Sequence, residues 1–222
     1  MPDSTSLDVI ELETGDNPDS AIIWLHGLGA SGNDFVPIIP QLNLPDDLSI
    51  RFIFPHAPVR PITINHGYQM PGWYDITSLD IVGTEDETGI IESSNAIHKL
   101  CQQQQDLGIN SRRIILAGFS QGGAIALLCG IGYPQPLGGI MALSTYLPQC
   151  APLNNSTNQN IDIFMAHGSM DEVVLPKYGE LSRQRLEKSG YDVKWHEYAM
   201  PHSVCMEEIQ DIRSWIIQVL AG

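Results

Sequence analysis

The chain has 222 residues, 43% of them hydrophobic and 7% aromatic, enough apolar side chain for a sizeable core, which excludes global disorder. At about 150 residues per domain the length fits one large domain, and residues 1–222 are read as a single α/β domain. Lys and Arg number 11 against 26 Asp and Glu, a net charge of −15; nucleic acid and anionic membrane surfaces are thereby excluded as partners, and neutral or cationic substrates are favoured.

In chain order, the opening Met-Pro-Asp-Ser-Thr-Ser-Leu-Asp has neither a basic nor an apolar stretch, so no signal peptide is expected. Strands are predicted over Leu7–Leu12, Ala21–Leu25 and Ile50–Phe54. Between the last two, Gly27-Leu28-Gly29-Ala30-Ser31-Gly32 spells the dinucleotide fingerprint. The acidic ribose partner expected roughly 20 positions on is missing: position 52 is Phe, and Asp46 and Asp47 precede the strand instead of following it. Pro55 to Thr88 then spans 34 positions, where such connections usually run about 2–6. Its Met70, Trp73 and Tyr74 favour a folded loop over a substrate site. Glu85-Asp86-Glu87 is read as a solvated face ahead of a helix N-terminus.

A helix follows over about 89–105, with Ile90, Ser94, Ile97 and Cys101 on one face. Ile114 to Gly132 runs 19 residues without a charge and contains G-x-x-x-G. Ser120-Gln121-Gly122-Gly123 interrupts its centre, so it reads as a buried strand, Ile114–Ala117, entering a buried helix, Gln121–Ile131, and no stable membrane insertion is expected. Strands over Gly139–Leu143, Ile161–Ala166 and Val193–Tyr198 complete the set. Helices are predicted over Pro176–Ser189, opening on Pro, and near the C-terminus through Ile209, Ile212, Trp215, Ile216 and Val219. Apolar strands alternating with helices imply a mostly parallel sheet covered on both faces. Cys101, Cys129, Cys150 and Cys205 stand far apart with no C-x-x-C pair, the pattern of free thiols in a reducing cytoplasm.

The chemistry centres on Gly118-Phe119-Ser120-Gln121-Gly122, a G-x-S-x-G placed where a buried strand turns into a buried helix. Such a turn thrusts the serine Oγ above the sheet and leaves the Gln121 amide at a helix N-terminus, where an oxyanion is favoured. A serine nucleophile needs a base and the base an orienting carboxylate, both at the C-terminal ends of strands. Asp162 and Asp192 precede their strands. Asp171 follows Ile161–Ala166 at the right end, with Glu172 its close rival. His196 lies inside a strand as a packed or surface residue, whereas His202 comes after Pro201 on a loop. The order Ser120, Asp171, His202 is that of α/β-hydrolases. Leu28, in Trp24-Leu25-His26-Gly27-Leu28-Gly29, is the expected second oxyanion donor through its backbone N–H. His196-Glu197 and His202 make H-E-x₄-H with Pro201 inside, not a helical zinc motif, so no metal and no cofactor is expected.

These residues resemble the acyl-protein thioesterase / phospholipase-carboxylesterase family of serine α/β-hydrolases. The likeness rests on Leu25-His26-Gly27-Leu28-Gly29, Pro55-His56-Ala57-Pro58, Trp73-Tyr74-Asp75, Gly118-Phe119-Ser120-Gln121-Gly122-Gly123, Leu143-Ser144-Thr145-Tyr146-Leu147-Pro148, His167-Gly168-x-x-Asp171 and His202-Ser203. It implies an α/β-hydrolase fold without a cap domain, cleaving carboxylic esters and thioesters of acyl chains carried by a lipid or an acylated protein. Ser120 would be nucleophile, His202 base and Asp171 its orienter. Leu28 and Gln121 would hold the oxyanion, and Met70, Trp73, Leu28, Tyr146 and Val174 would line an acyl tunnel. Tyr146 stands where many relatives carry Trp, and Glu172 where Pro often follows the aspartate. A lysophospholipase, or a catalytically silent acyl-binding module, are the alternatives, and the chain is expected to be a monomer or weak homodimer. His26 and His167 are read as structural hydrogen-bonding residues; His56, His66 and His98 as solvated.

Overall fold

The computed structural model describes residues 7–78, 85–154 and 157–221. Its main sheet contains β1 (Val9–Glu13), β2 (Ser20–Leu25), β3 (Ile50–Pro55), β6 (Ile114–Phe119), β7 (Gly139–Leu143), β8 (Asp162–Gly168) and β9 (Val193–Tyr198), ordered β1-β3-β2-β6-β7-β8-β9. Only β1 runs antiparallel, against β3. The other six are parallel, so their C-terminal ends meet along one edge. Every residue of β2 and β7 is buried, as strands covered on both faces must be.

Alternation along the strands divides the core in two. Ile23, Leu116 and Ile163 face one side with Ile97 of α2 (Glu87–Asp106), Ile125 of α3 (Gln121–Gly132) and Leu186 of α4 (Pro176–Lys188). Ile22, Trp24, Phe52 and Phe164 face the other, with Leu42 of α1 (Ile39–Leu42) and Ile212 and Trp215 of α5 (Met206–Leu220). This is the two-sided α/β layering the sequence predicts. Among the described residues no helix is long and apolar enough to cross a membrane.

The long connection after β3 carries more structure than its sequence declares. β4 (Val59–Ile62) and β5 (Tyr68–Pro71) form a separate antiparallel ribbon closed by a 3₁₀ turn at Thr63–Asn65. Pro61 and Pro71 hide these strands from pattern reading. They are tolerated because each strand of a two-stranded ribbon has an unpaired edge, where a missing N–H costs little. The acidic run is also more than a solvated face. Asp86 caps α2, accepting from Gly89 N at 3.0 Å and from Asp75 N at 2.9 Å, while Glu85 accepts from Gln149 N at 2.8 and 3.0 Å. His98 and His56 depart from the solvated reading too: His98 packs edge-on against Tyr133 with ring centroids 5.0 Å apart, and His56 Nδ1 accepts from Gly32 N at 3.3 Å.

One carboxyl group stands out in the second core. Glu208, in the first turn of α5, is fully buried, and among the described residues neither of its oxygens has a hydrogen-bond partner. Burial pushes its pKa up to about 8, a rise the Cys205 backbone offsets only in part. The folded chain therefore holds this proton more tightly than the unfolded chain does. Its contribution is fully present below about 4.5 and is lost as pH rises towards about 8. Wild type is expected to fall behind Glu208→Gln by about 1 kcal/mol per pH unit across that window, read by urea denaturation. Parallel stability curves would contradict this.

Candidate active site

Ser120 lies between β6 and α3 with φ 54° and ψ −122°, a left-handed conformation that a non-glycine residue adopts only when its surroundings enforce it. The enforcement is visible. Ser120 N donates to Leu143 O at 2.9 Å, and its carbonyl accepts from Thr145 Oγ1 at 2.6 Å. A Cβ at Gly118 would collide with the Gly122 backbone, and one at Gly122 would lie 2.5 Å from Leu25 O, so both must be glycine for the bend to close.

The Gln121 N–H, first in α3, has no acceptor within its own helix. Among the described residues the Leu28 N–H, on the loop after β2, donates to no backbone carbonyl. Both residues line a cavity of about 460 Å³ together with Ser120. Gln121 has a second role that sequence reading missed. Its side chain is buried and clamps the loop after β5: Oε1 accepts from Trp73 N at 2.8 Å and Nε2 donates to Tyr74 O at 2.7 Å. A glutamine following the serine carries no sequence signal for such a reach across 48 positions.

Asp171 follows β8 and is buried, and both of its carboxylate oxygens accept hydrogen bonds. Oδ1 accepts from Val173 N and Val174 N, both at 2.9 Å, and Oδ2 accepts from His202 Nδ1–H at 2.6 Å. Of the two neighbouring carboxylates, it is Asp171 that bonds His202, while Glu172 is exposed. His202 rests against Phe119, ring centroids 4.6 Å apart, and shares with Ser120 a second cavity of about 450 Å³. Beneath, His167 Nε2–H donates to Val174 O at 2.7 Å, holding the loop that carries Asp171; burial lowers its pKa. His26, its pKa also lowered by burial, donates through Nδ1 to Gly27 O at 2.7 Å and accepts from Ala57 N at 3.0 Å. Both histidines thus brace loops, as their positions beside glycine predict. His196 packs on Phe164, centroids 4.9 Å apart, away from the site.

Of the five residues read as acyl-tunnel walls, Leu28, Tyr146 and Val174 surround the 460 Å³ cavity and Met70 and Trp73 do not. Trp73 is fully buried core: its indole N–H donates to His26 O at 2.8 Å, and Ser93 Oγ donates to its carbonyl. Met70 turns towards Asn65, whose Nδ2 donates to its sulfur at 3.5 Å. Tyr74 takes the wall position instead. Its hydroxyl bonds that of Tyr146 at 2.6 Å, and burial pushes both phenols up, Tyr146 to about 12. Among the described residues no group of three or more His, Cys, Asp or Glu side chains is arranged to hold a metal ion.

Residues 8–220 match the model of the phospholipase/carboxylesterase family. The chain belongs to that family. Among the phospholipase/carboxylesterase relatives, acyl-protein thioesterase 1 of Mycosarcoma maydis is 39% identical over 96% of both chains. The crystal structure of Arabidopsis thaliana SOBER1 superposes with a TM-score of 0.85 at 30% identity, covering 90% of this chain and 99% of that one. Zea mays acyl-protein thioesterase 2 gives 0.84 at 27% identity, over 96% and 99%. The sheet order and two-sided helix layers are accordingly those of the α/β-hydrolase fold.

Proposed function

We propose that Ser120, His202 and Asp171 are the nucleophile, general base and orienting carboxylate of a hydrolase acting on acyl esters and thioesters. The observation that carries this is the 2.6 Å bond to a buried carboxylate from His202, which shares a cavity wall with a strained serine. Asp171 fixes the imidazole with its proton on Nδ1, leaving Nε2 to take the Ser120 proton as Oγ attacks the acyl carbon. The N–H groups of Leu28 and Gln121 receive the negative charge that builds on the carbonyl oxygen, and each such donor is worth about 2.7–4 kcal/mol to the transition state. The C–S or C–O bond then breaks, and His202 Nε2 protonates the departing atom. Water, deprotonated by the same nitrogen, releases the acid and restores Ser120.

The acyl-protein thioesterase relatives support thioesters on protein cysteines as the natural substrate class. The four thiols suit a cytoplasmic location, and a monomer or weak homodimer suffices, since Ser120, His202 and Asp171 come from one chain. Rapid acid quenching of a thioester reaction, followed by peptide mass mapping, is expected to find the acyl group on Ser120. Acyl groups found only on a cysteine would overturn the proposal.

A further inference from the structure

Two cavities meet at Ser120, sharing Leu28 and Val173, and they differ chemically. The wall with Tyr74 and Tyr146 lacks His202, whereas the 450 Å³ cavity contains it. The atom that leaves must be protonated by that imidazole, so the departing group has to lie on the His202 side and the acyl chain on the other.

On the departing-group side the walls include Ala30, Phe35, Phe119 and Val204, and one carboxylate, Asp34. Asp34 is exposed, and its backbone is pinned by a 3.1 Å bond from its N–H to Ser31 O. Among the described residues its carboxylate makes no hydrogen bond and no ion pair. Phe35, stacked on Trp24 at 5.1 Å between ring centroids, and Phe119, packed on His202 at 4.6 Å, give the same wall an apolar floor. An unpaired carboxylate at the rim of an apolar wall attracts a weakly hydrated cation through its fixed charge, and the apolar wall favours one that sheds water easily. The net charge of −15 adds a long-range pull of the same sign.

Resting on the hydrolase reading, we infer that this cavity is a subsite for alcohols or thiols that carry a positive charge close to the departing atom, with Asp34 as its specificity-determining residue. The bond that breaks is still the acyl C–S or C–O bond, and the cation only positions the leaving group. The subsite therefore alters selection among substrates without altering the chemistry.

The test compares butyrylthiocholine with S-(3,3-dimethylbutyl) thiobutyrate, a neutral isostere in which carbon replaces the charged nitrogen. Wild-type kcat/KM is expected to favour the charged thioester by about three- to tenfold at low ionic strength, and the ratio should shrink as salt is added. Asp34→Asn should bring the ratio close to one. Asp106→Asn, which removes the same charge at the end of α2 near the start of β6, should keep the wild-type ratio. A wild-type ratio near one with the neutral thioester still turned over overturns this inference alone, as does a ratio that survives Asp34→Asn. Absence of turnover on both thioesters overturns the hydrolase reading and this inference with it.

Discussion

Ser120→Ala is expected to lower kcat by on the order of 10⁶, leaving the small rate that binding and the oxyanion donors supply without a nucleophile. The fold should be untouched, because the neighbours hold Ser120 through its backbone, by Leu143 O and Thr145 Oγ1. Alanine inherits the φ of 54°, so its melting temperature should match wild type. Glycine should behave differently. A backbone held in a sparsely populated region costs about 1–3 kcal/mol, and glycine relieves most of that while losing about 0.4–1 kcal/mol through its freer unfolded state. Ser120→Gly is therefore expected to be inactive yet more stable by about 1 kcal/mol. Hydrolysis of a p-nitrophenyl ester and thermal melts check both variants. Retained turnover in Ser120→Ala would remove Ser120 from the mechanism.

Asp171→Asn is expected to cost about 10⁴ in kcat, by a route that can be followed atom by atom. Oδ1 accepts from two backbone N–H groups, so the amide oxygen of the variant must stay there. The amide nitrogen then faces His202, where Oδ2 stands in wild type. Both groups cannot donate, so the imidazole proton shifts to Nε2 and the ring can no longer accept from Ser120. Glu172→Gln, exposed and outside this network, should stay within a few-fold of wild type. Steady-state kinetics on one ester settle the comparison, and a near-normal Asp171→Asn would contradict the assigned role.

How far the sequence revealed this arrangement depended on whether a residue acts through local or distant neighbours. The elbow was legible because its determinants, Gly118, Ser120 and Gly122, lie within five consecutive residues and their environment is announced by flanking apolar runs. Asp171 and His202 were legible from chain order and strand ends, since a parallel sheet gathers one end of every strand on one edge. Trp73 and Met70 were misplaced because a wall of a cavity and a wall of the core look alike in sequence; only the turn of the β5 loop decides which way each side chain faces. The clamp by Gln121 and the hidden ribbon β4–β5 escaped for other reasons: the first depends on a partner far along the chain, the second on prolines whose missing N–H points away from the ladder. The cap by Asp86 is local, three residues from Gly89, and was passed over because an acidic run reads as a solvated face.

The placement of β6 also bears on how the chain is made. β2 comes from the first quarter of the sequence, yet its neighbour on one side is β6, which ends at Phe119. Until the ribosome has released that segment, β2 has an apolar edge with open N–H and C=O groups, an invitation to pair with another nascent chain. Early folding should therefore wait for the middle of the polypeptide, and a version truncated before Ile114 is expected to aggregate and not to form half an enzyme.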